Sequence, residues 1–371
     1  MGVSSQSKIL FLAPYPFGRV ASQRFRFEQY WDVFGERYQV SFHSFLSEES
    51  FNLLYAPGKL LQKAIGVLGG FFRRLFLLFQ VCKFDFVFIH REASPIGPPV
   101  FEWIIARVFR KKVIYDFDDA IWLSNTSGEN RIAALFKCHW KVKYICSFAH
   151  KVTCGNDFLC DYAKKFNPDS IYIPTTLDLA QIPAAFSKPN SSIKTIGWTG
   201  THSTLKYLNR ILPVLQNLQK QFSYNFLVIA DKDPKFHLKN YTFKKWNKAT
   251  EWEDLSAIDV GLMPLENTEW EEGKCGFKAL QYIALGIPAV VSPTEANSKI
   301  ISNGVNGFVC ETDEDWEKKI ATLLNEEEMC RSFSQKGREN VKSGFSKEAW
   351  KGTYLGLFEG DKLTKLIKEA S

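Results

Sequence analysis

Short apolar runs alternate with stretches of helical period along almost the whole chain. Runs such as 9–13 and 84–90 have the length and the β-branched or aromatic make-up of strands buried on both faces. The stretches between them repeat apolar residues three and four apart, the period of a helix lying on a sheet. The pattern predicts strands at 9–13, 39–45, 84–90, 113–117, 151–154 and 171–174. Helices are expected near 22–34, 59–80, 98–110, 129–148 and 157–166. The alternation breaks at 179–194, where Pro183, Pro189, Asn190, Ser191 and Ser192 read as a linker. It restarts with strands at 193–198, 226–230, 260–264, 289–292 and 307–310, and helices near 203–221, 276–286, 297–302, 313–324 and 326–342. The tail 347–370 is helical again. Such alternation makes an α/β protein with parallel sheets. Two Rossmann-like domains are expected, 1–186 and 187–346, followed by a C-terminal helical segment, 347–371.

Length supports that division, since 371 residues exceed one ordinary core of roughly 150. The net charge of +7 suits an acidic ligand or an anionic surface and gives no sign of nucleic acid. None of the eight cysteines forms a C-x-x-C pair, so they read as buried thiols of a reducing compartment. The N-terminus lacks the apolar core of a signal peptide, and a cytoplasmic protein is expected.

The stretch 59–79 stands apart. It is densely apolar, yet Lys59, Lys63, Arg73 and Arg74 and three glycines interrupt it, which argues against a membrane span. Two readings stay open: a basic amphipathic helix peripheral to the inner membrane through 59–80, or a packed core helix with two solvated arginines.

Five segments carry candidate chemistry. Gly197-Trp198-Thr199-Gly200 follows a strand, where a glycine-rich turn lets backbone N–H groups approach a phosphate; otherwise it is a plain strand–helix turn. Ser203 and Thr204 would cap the next helix. Glu272-Gly273-Lys274-Cys275-Gly276-Phe277-Lys278 opens a helix that continues through Gln281. Lysines at a helix start oppose its dipole unless an anion lies there, and one helical face would hold Lys274, Lys278 and Gln281. Asp116, Asp118 and Asp119 end a strand and repel one another unless compensated, by a divalent metal or by hydrogen bonds that cap and brace the loop. The loop after the first strand carries Arg19, Arg24 and Arg26, which grip an anionic acceptor unless Arg24 and Arg26 simply pair with Glu28 or Asp32. His90-Arg91-Glu92 ends a further strand and offers groups for substrate hydroxyls.

In this order the segments Y-D-F-D-D-A-I-W at 115–122, H-R-E-A at 90–93, I-G-W-T-G at 196–200, G-K-C-G-F-K-A-L-Q-Y at 273–282 and N-G-V-N-G-F-V at 303–309 resemble the family 4 glycosyltransferases, in the branch that builds bacterial capsule, O-antigen or exopolysaccharide. The resemblance implies a GT-B fold, with two facing Rossmann-like domains, an interdomain cleft and a C-terminal helix crossing back. The N-terminal domain would bind a glycan or lipid-linked acceptor and the C-terminal one a nucleotide sugar. It implies retention of anomeric configuration, no metal and no other cofactor. Asp118, Asp119 and His90 would be catalytic; Arg19, Arg24, Arg26, Arg91 and Glu92 would face the acceptor; 197–200, 272–278 and Gln281 would face the donor. The two donor-site glutamates of the family fall on Gly273 and Gln281, its basic residue on Trp198, and its His-Asp on Asp118-Asp119. Two other readings remain: a non-catalytic GT-B partner subunit that binds nucleotide sugars, and a metal-dependent GT-A transferase using Asp116 and Asp118.

Overall fold

The computed structural model describes residues 6–54, 56, 58–124, 136–183 and 193–359. The chain divides into two compact units. The first runs to Thr176 and resumes at Trp350; the second is Leu177–Ala349.

The first unit is built on six parallel strands: β1 (Lys8–Ala13), β2 (Gln39–Ser44), β3 (Phe86–His90), β4 (Lys112–Phe117), β5 (Lys151–Cys154) and β6 (Ser170–Tyr172). Their order is β2-β1-β3-β4-β5-β6. The aromatic richness of the chain is spent here. Phe11 on β1 touches Phe27, Phe34 and Phe88 at ring-centroid distances of 5.5, 5.2 and 5.1 Å. The helix Lys347–Gly356 and the turn after it add Tyr354 and Phe358 to this core, Tyr354 lying 4.2 Å from the Tyr30 ring.

The second unit has β7 (Thr195–Gly200), β8 (Asn225–Ala230), β9 (Tyr241–Lys245), β10 (Val260–Met263), β11 (Ala289–Val291) and β12 (Gly307–Val309). The order is β12-β11-β10-β7-β8-β9, again all parallel. The helix Lys206–Gln221 packs Leu208, Ile211 and Leu215 against this sheet, and Asp313–Asn325 adds Trp316 and Ile320.

In each sheet the first strand lies inside, and successive strands add to one side of it and then the other. The crossing points are β1/β3 and β7/β10, and loops at the carboxyl ends of strands at such points diverge into a crevice that binds ligands.

Eleven strands follow the predicted pattern to within two residues. The twelfth, β9, has no apolar run because it is an edge strand with half its side chains in solvent, and Lys244 and Lys245 protect that edge. The expected linker residues 189–192, the first part of the helix near 129–148 and the tail beyond 359 lie outside the described residues.

Candidate active site

At the β1/β3 crossing point one hydrogen-bonded network links eight side chains. Arg26 pairs with Asp116, its Nη2 on Oδ1 and its Nε 3.4 Å from Oδ2. Asp116 Oδ2 lies 2.7 Å from His90 Nδ1, and His90 Nε2 lies 2.8 Å from Ser22 Oγ. Ser22 bonds Asp118, and Asp118 meets Arg91, whose Nε donates to Oδ1 at 2.9 Å. Arg91 also pairs with Asp119. Thr153 donates to Asp116 Oδ1 at 2.7 Å. The strand ends force this meeting: β3 pairs with β4 so that His90 is in register with Asp116, and the helix Ala21–Arg26 starts above the end of β1.

Each carboxylate in this network meets a guanidinium, and the acidities follow. Burial alone would raise Asp116, but Arg26 and the His90 bond outweigh it and hold the carboxyl below its ordinary range. Asp118 is held far below that range, because Arg91, His90 and the Ser22 bond overcome its burial. Burial would likewise lower Arg91, yet the Asp118 and Asp119 carboxylates raise it. The compensation that three neighbouring aspartates require thus comes from Arg26, His90 and Arg91.

Several expected roles change with this geometry. His90 is 1% exposed, and its Nε2 faces the Ser22 hydroxyl instead of solvent. Arg26 is fully buried, with Asp116 and the Ile173 carbonyl among its partners, and is not open to an acceptor. Arg19 pairs with Glu48, donates to Asn52 at 2.7 Å and lies over the Phe51 ring. Glu92 lies 2.6 Å from Lys141, and burial raises its pKa against the pull of that ammonium. Arg24 remains half-exposed against the Phe25 ring. The half-exposed groups at the end of the network are Asp118, Asp119 and Arg91. The residue the sequence did not flag is Ser22: nothing in its neighbourhood marks it, and only the sheet order puts it against His90. Trp122, stacked 3.7 Å from Tyr162, anchors the chain that leaves the acidic run.

At the β7/β10 crossing point the glycine-rich turn is closed on itself. Thr199 N–H donates to the Tyr282 hydroxyl at 3.1 Å, Thr201 N–H to Thr204 Oγ1 at 3.0 Å, and His202 N–H to Asp231 Oδ1 at 2.6 Å. A phosphate would have to displace these bonds to reach the amides of Thr199, Thr201 and His202. Thr201 and Thr204 make a capping box, in place of the expected Ser203 and Thr204 caps. Trp198 is 1% exposed and belongs to the core, as do the strand residues around it. Gly197 packs on Ile258, and a side chain at Gly200 would strike the Trp198 ring.

The helix Phe277–Ala284 starts at Gly276, whose φ of 67° is left-handed; a Cβ there would lie 2.4 Å from Ile300 Cδ1. Lys274 precedes this helix, so the single face expected for Lys274, Lys278 and Gln281 does not form. The Lys274 ammonium lies 4.7 Å over the Trp270 ring and that of Lys278 5.8 Å over Trp198. Gln281 is 2% exposed and donates to Glu251 Oε1 at 3.1 Å, turning its amide into the interior. Glu272 accepts from Glu295 N–H at 3.1 Å, while Glu271 is the buried carboxylate, bonded by Tyr207 and Thr268. Gly273 is buried; Cys275 and Phe277 are half-exposed beside the two lysines. An exposed pair that the sequence reading missed, His202 Nδ1 and Asp231 Oδ2 at 2.5 Å, joins the carboxyl ends of β7 and β8. Its only sequence signal is that Asp231 directly follows an apolar run.

Residues 186–340 match the family model of glycosyl transferases group 1. No curated protein sequence matches the chain. Among solved structures, a sucrose-phosphate synthase from Thermosynechococcus elongatus superposes with a TM-score of 0.67 at 13% identity, covering 98% of this chain and 100% of that one. HepE from Anabaena, solved with UDP-glucose, gives 0.69 at 12% identity over 94% and 98%. A glycosyltransferase from Rickettsia africae gives 0.67 at 13% identity over 95% and 98%. At these identities the likeness fixes the fold, which is GT-B, and the single-domain GT-A alternative falls with it. With that fold, and with a glycosyl transferases group 1 domain across its second unit, the chain is a glycosyltransferase.

Proposed function

We propose that this glycosyltransferase moves a sugar, with retention of configuration and without a metal, from a nucleoside-diphosphate sugar to a hydroxyl of a glycan or lipid-linked glycan. The setting is cell-surface polysaccharide synthesis in the family 4 manner, on the cytoplasmic side of the inner membrane with residues 59–80 against it. The observation that carries the donor half is the start of helix Phe277–Ala284: an N-terminus capped by a glycine, flanked by Lys274 and Lys278, inside the matched domain. Oriented amides and two ammonium groups stabilise the charge that develops on a departing diphosphate, because they need no reorganisation as it leaves. HepE, of like fold, is solved with UDP-glucose. On the acceptor side Asp118, Asp119 and Arg91 are the half-exposed groups for sugar hydroxyls, and Ser22, His90 and Asp116 hold them in place.

A thermal-shift screen with UDP, GDP, CMP and dTDP nucleotides tests the donor reading, since a ligand of the native state raises the melting temperature. No shift with any nucleotide ends it. NMR of the anomeric proton in the product checks retention, and undiminished turnover in EDTA checks metal independence. The partner-subunit reading draws on the interior placement of Gln281, and nucleotide binding without turnover on any acceptor favours it.

A further inference from the structure

The helix Leu60–Leu78 turns many of its apolar side chains outward. Its buried face is made of Gly70, Arg74, Leu77 and Leu78, and its outer face of Leu61, Ile65, Leu68, Phe72, Leu75 and Phe76. Leu68, Phe72 and Phe76 are 57%, 60% and 64% exposed. The reading of a core helix with two solvated arginines is therefore replaced: Arg74 is 2% exposed, and its Nε, Nη2 and Nη1 donate to the carbonyls of Ala93, Ala13 and His43 at 2.7, 2.9 and 3.1 Å. Arg73 donates to the Phe45 carbonyl. Gly70 lets the helix lie directly on the Phe45 ring.

The apolar surface continues past this helix. Phe71 meets Phe101 at 6.1 Å, and beyond Phe101 lies an open apolar groove of about 270 Å3 lined by Pro99, Val100, Trp103, Trp140, Tyr144 and Phe148. Trp103 and Trp140 are half in solvent. Charge on this face is mainly positive, with Glu49 near Arg73 at one end. No Asp or Glu occurs between Glu49 and Asp85, where Lys59 and Lys63 flank the helix; Arg107 and Lys143 lie over Phe148 and Tyr144 at the groove.

We propose that this face of the first unit, helix Leu60–Leu78 together with the Trp103–Trp140 groove, is a docking surface for an anionic phospholipid bilayer. A soluble face does not leave so large an apolar area to water. Exposed indoles beside lysines and arginines match the headgroup boundary, where ring, ammonium and lipid phosphate are all satisfied. A second copy of the chain fits less well, because it would set the same lysines and arginines against themselves. No helix among the described residues is long and apolar enough to cross a membrane, so the surface lies on the bilayer. Arg74 ties the helix to the carboxyl edge of the sheet: its partner Ala93 stands two residues after Arg91 of the polar network. The proposal deepens the acceptor reading above and rests on it, since a lipid-linked acceptor would reach Asp118 and Asp119 from that surface.

Vesicle flotation tests it. Wild-type protein is expected to float with vesicles of phosphatidylglycerol in phosphatidylethanolamine and to stay below with phosphatidylcholine alone. The triple variant Leu68→Glu, Phe72→Glu, Phe76→Glu should lose at least about tenfold of that partitioning. Lys59→Glu with Lys63→Glu should lose about tenfold on anionic vesicles. The nucleotide thermal shift must be unchanged in both, which separates this test from the donor reading; circular dichroism confirms folding. Absence of flotation, or equal flotation of the triple variant, overturns the proposal. A wild-type dimer that the triple variant converts to monomer, with no flotation, overturns it in favour of self-association.

Discussion

The two crossing points of this molecule use cations in opposite ways. In the first unit Arg26 and Arg91 are locked into carboxylates, and Arg74 into carbonyls. In the second, Lys274 and Lys278 rest half-exposed on indole rings at a helix start. The planar guanidinium satisfies several fixed acceptors at once and suits architecture; the ammonium is a mobile point charge that can move onto an arriving phosphate. On the donor reading proposed above, a cation's burial, more than its position along a strand edge, separates the groups that build a site from those that bind in it.

The sharpest way to break the comparison is Arg26→Met, which leaves Asp116 buried with no guanidinium. It should destabilise the first unit by about 3–5 kcal/mol, read as a lower urea midpoint. A loss under 1 kcal/mol would show that Arg26 is not structural. The same pair sets the acid limit. Asp116 and Asp118 are held below their ordinary value of 3.8, so their contribution is complete above that pH and is lost as pH falls further. Unfolding followed between pH 5 and pH 2 should steepen below 4, and less so in Asp118→Asn.

Next in size is Gly276→Ala, which forces a side chain into a left-handed residue and against Ile300. A cost of about 1–2 kcal/mol is expected in the melt of the second unit, with weaker nucleotide binding. Lys278→Ala should leave stability unchanged while lowering affinity for a nucleoside diphosphate about tenfold, measured by calorimetry. Equal affinity would take that lysine out of the donor site. Arg19→Ala should matter least: its pair with Glu48 is exposed, and about 0.5 kcal/mol is the expected change.

The frame of the molecule was legible because the inner strands of both sheets are buried on both faces, which writes them as unbroken apolar runs such as 226–230. The acidic run at 116–119 and His90 were legible as strand-end groups, and both lie in the network. What the sequence concealed is direction. The period of 59–79 shows two faces without saying which one meets the sheet; the carbonyls of Ala13, His43 and Ala93 decide it by drawing Arg74 inward. Likewise the spacing of Lys278 and Gln281 cannot show that Gln281 turns to Glu251. Ser22 and the His202–Asp231 pair depend on which strands are neighbours, and that is a property of topology, not of local pattern.

The Tyr282 hydroxyl, held between the Thr199 N–H and the Leu262 carbonyl, has a consequence for turnover. It can reach that position because Gly261 presents no side chain to its ring. Exchanging this phenol for a phenyl group would release one amide at the mouth of β7. Tyr282→Phe is thus a minimal edit that asks, on the proposed donor reading, whether keeping that amide occupied hastens departure of the spent nucleotide, trading grip for speed.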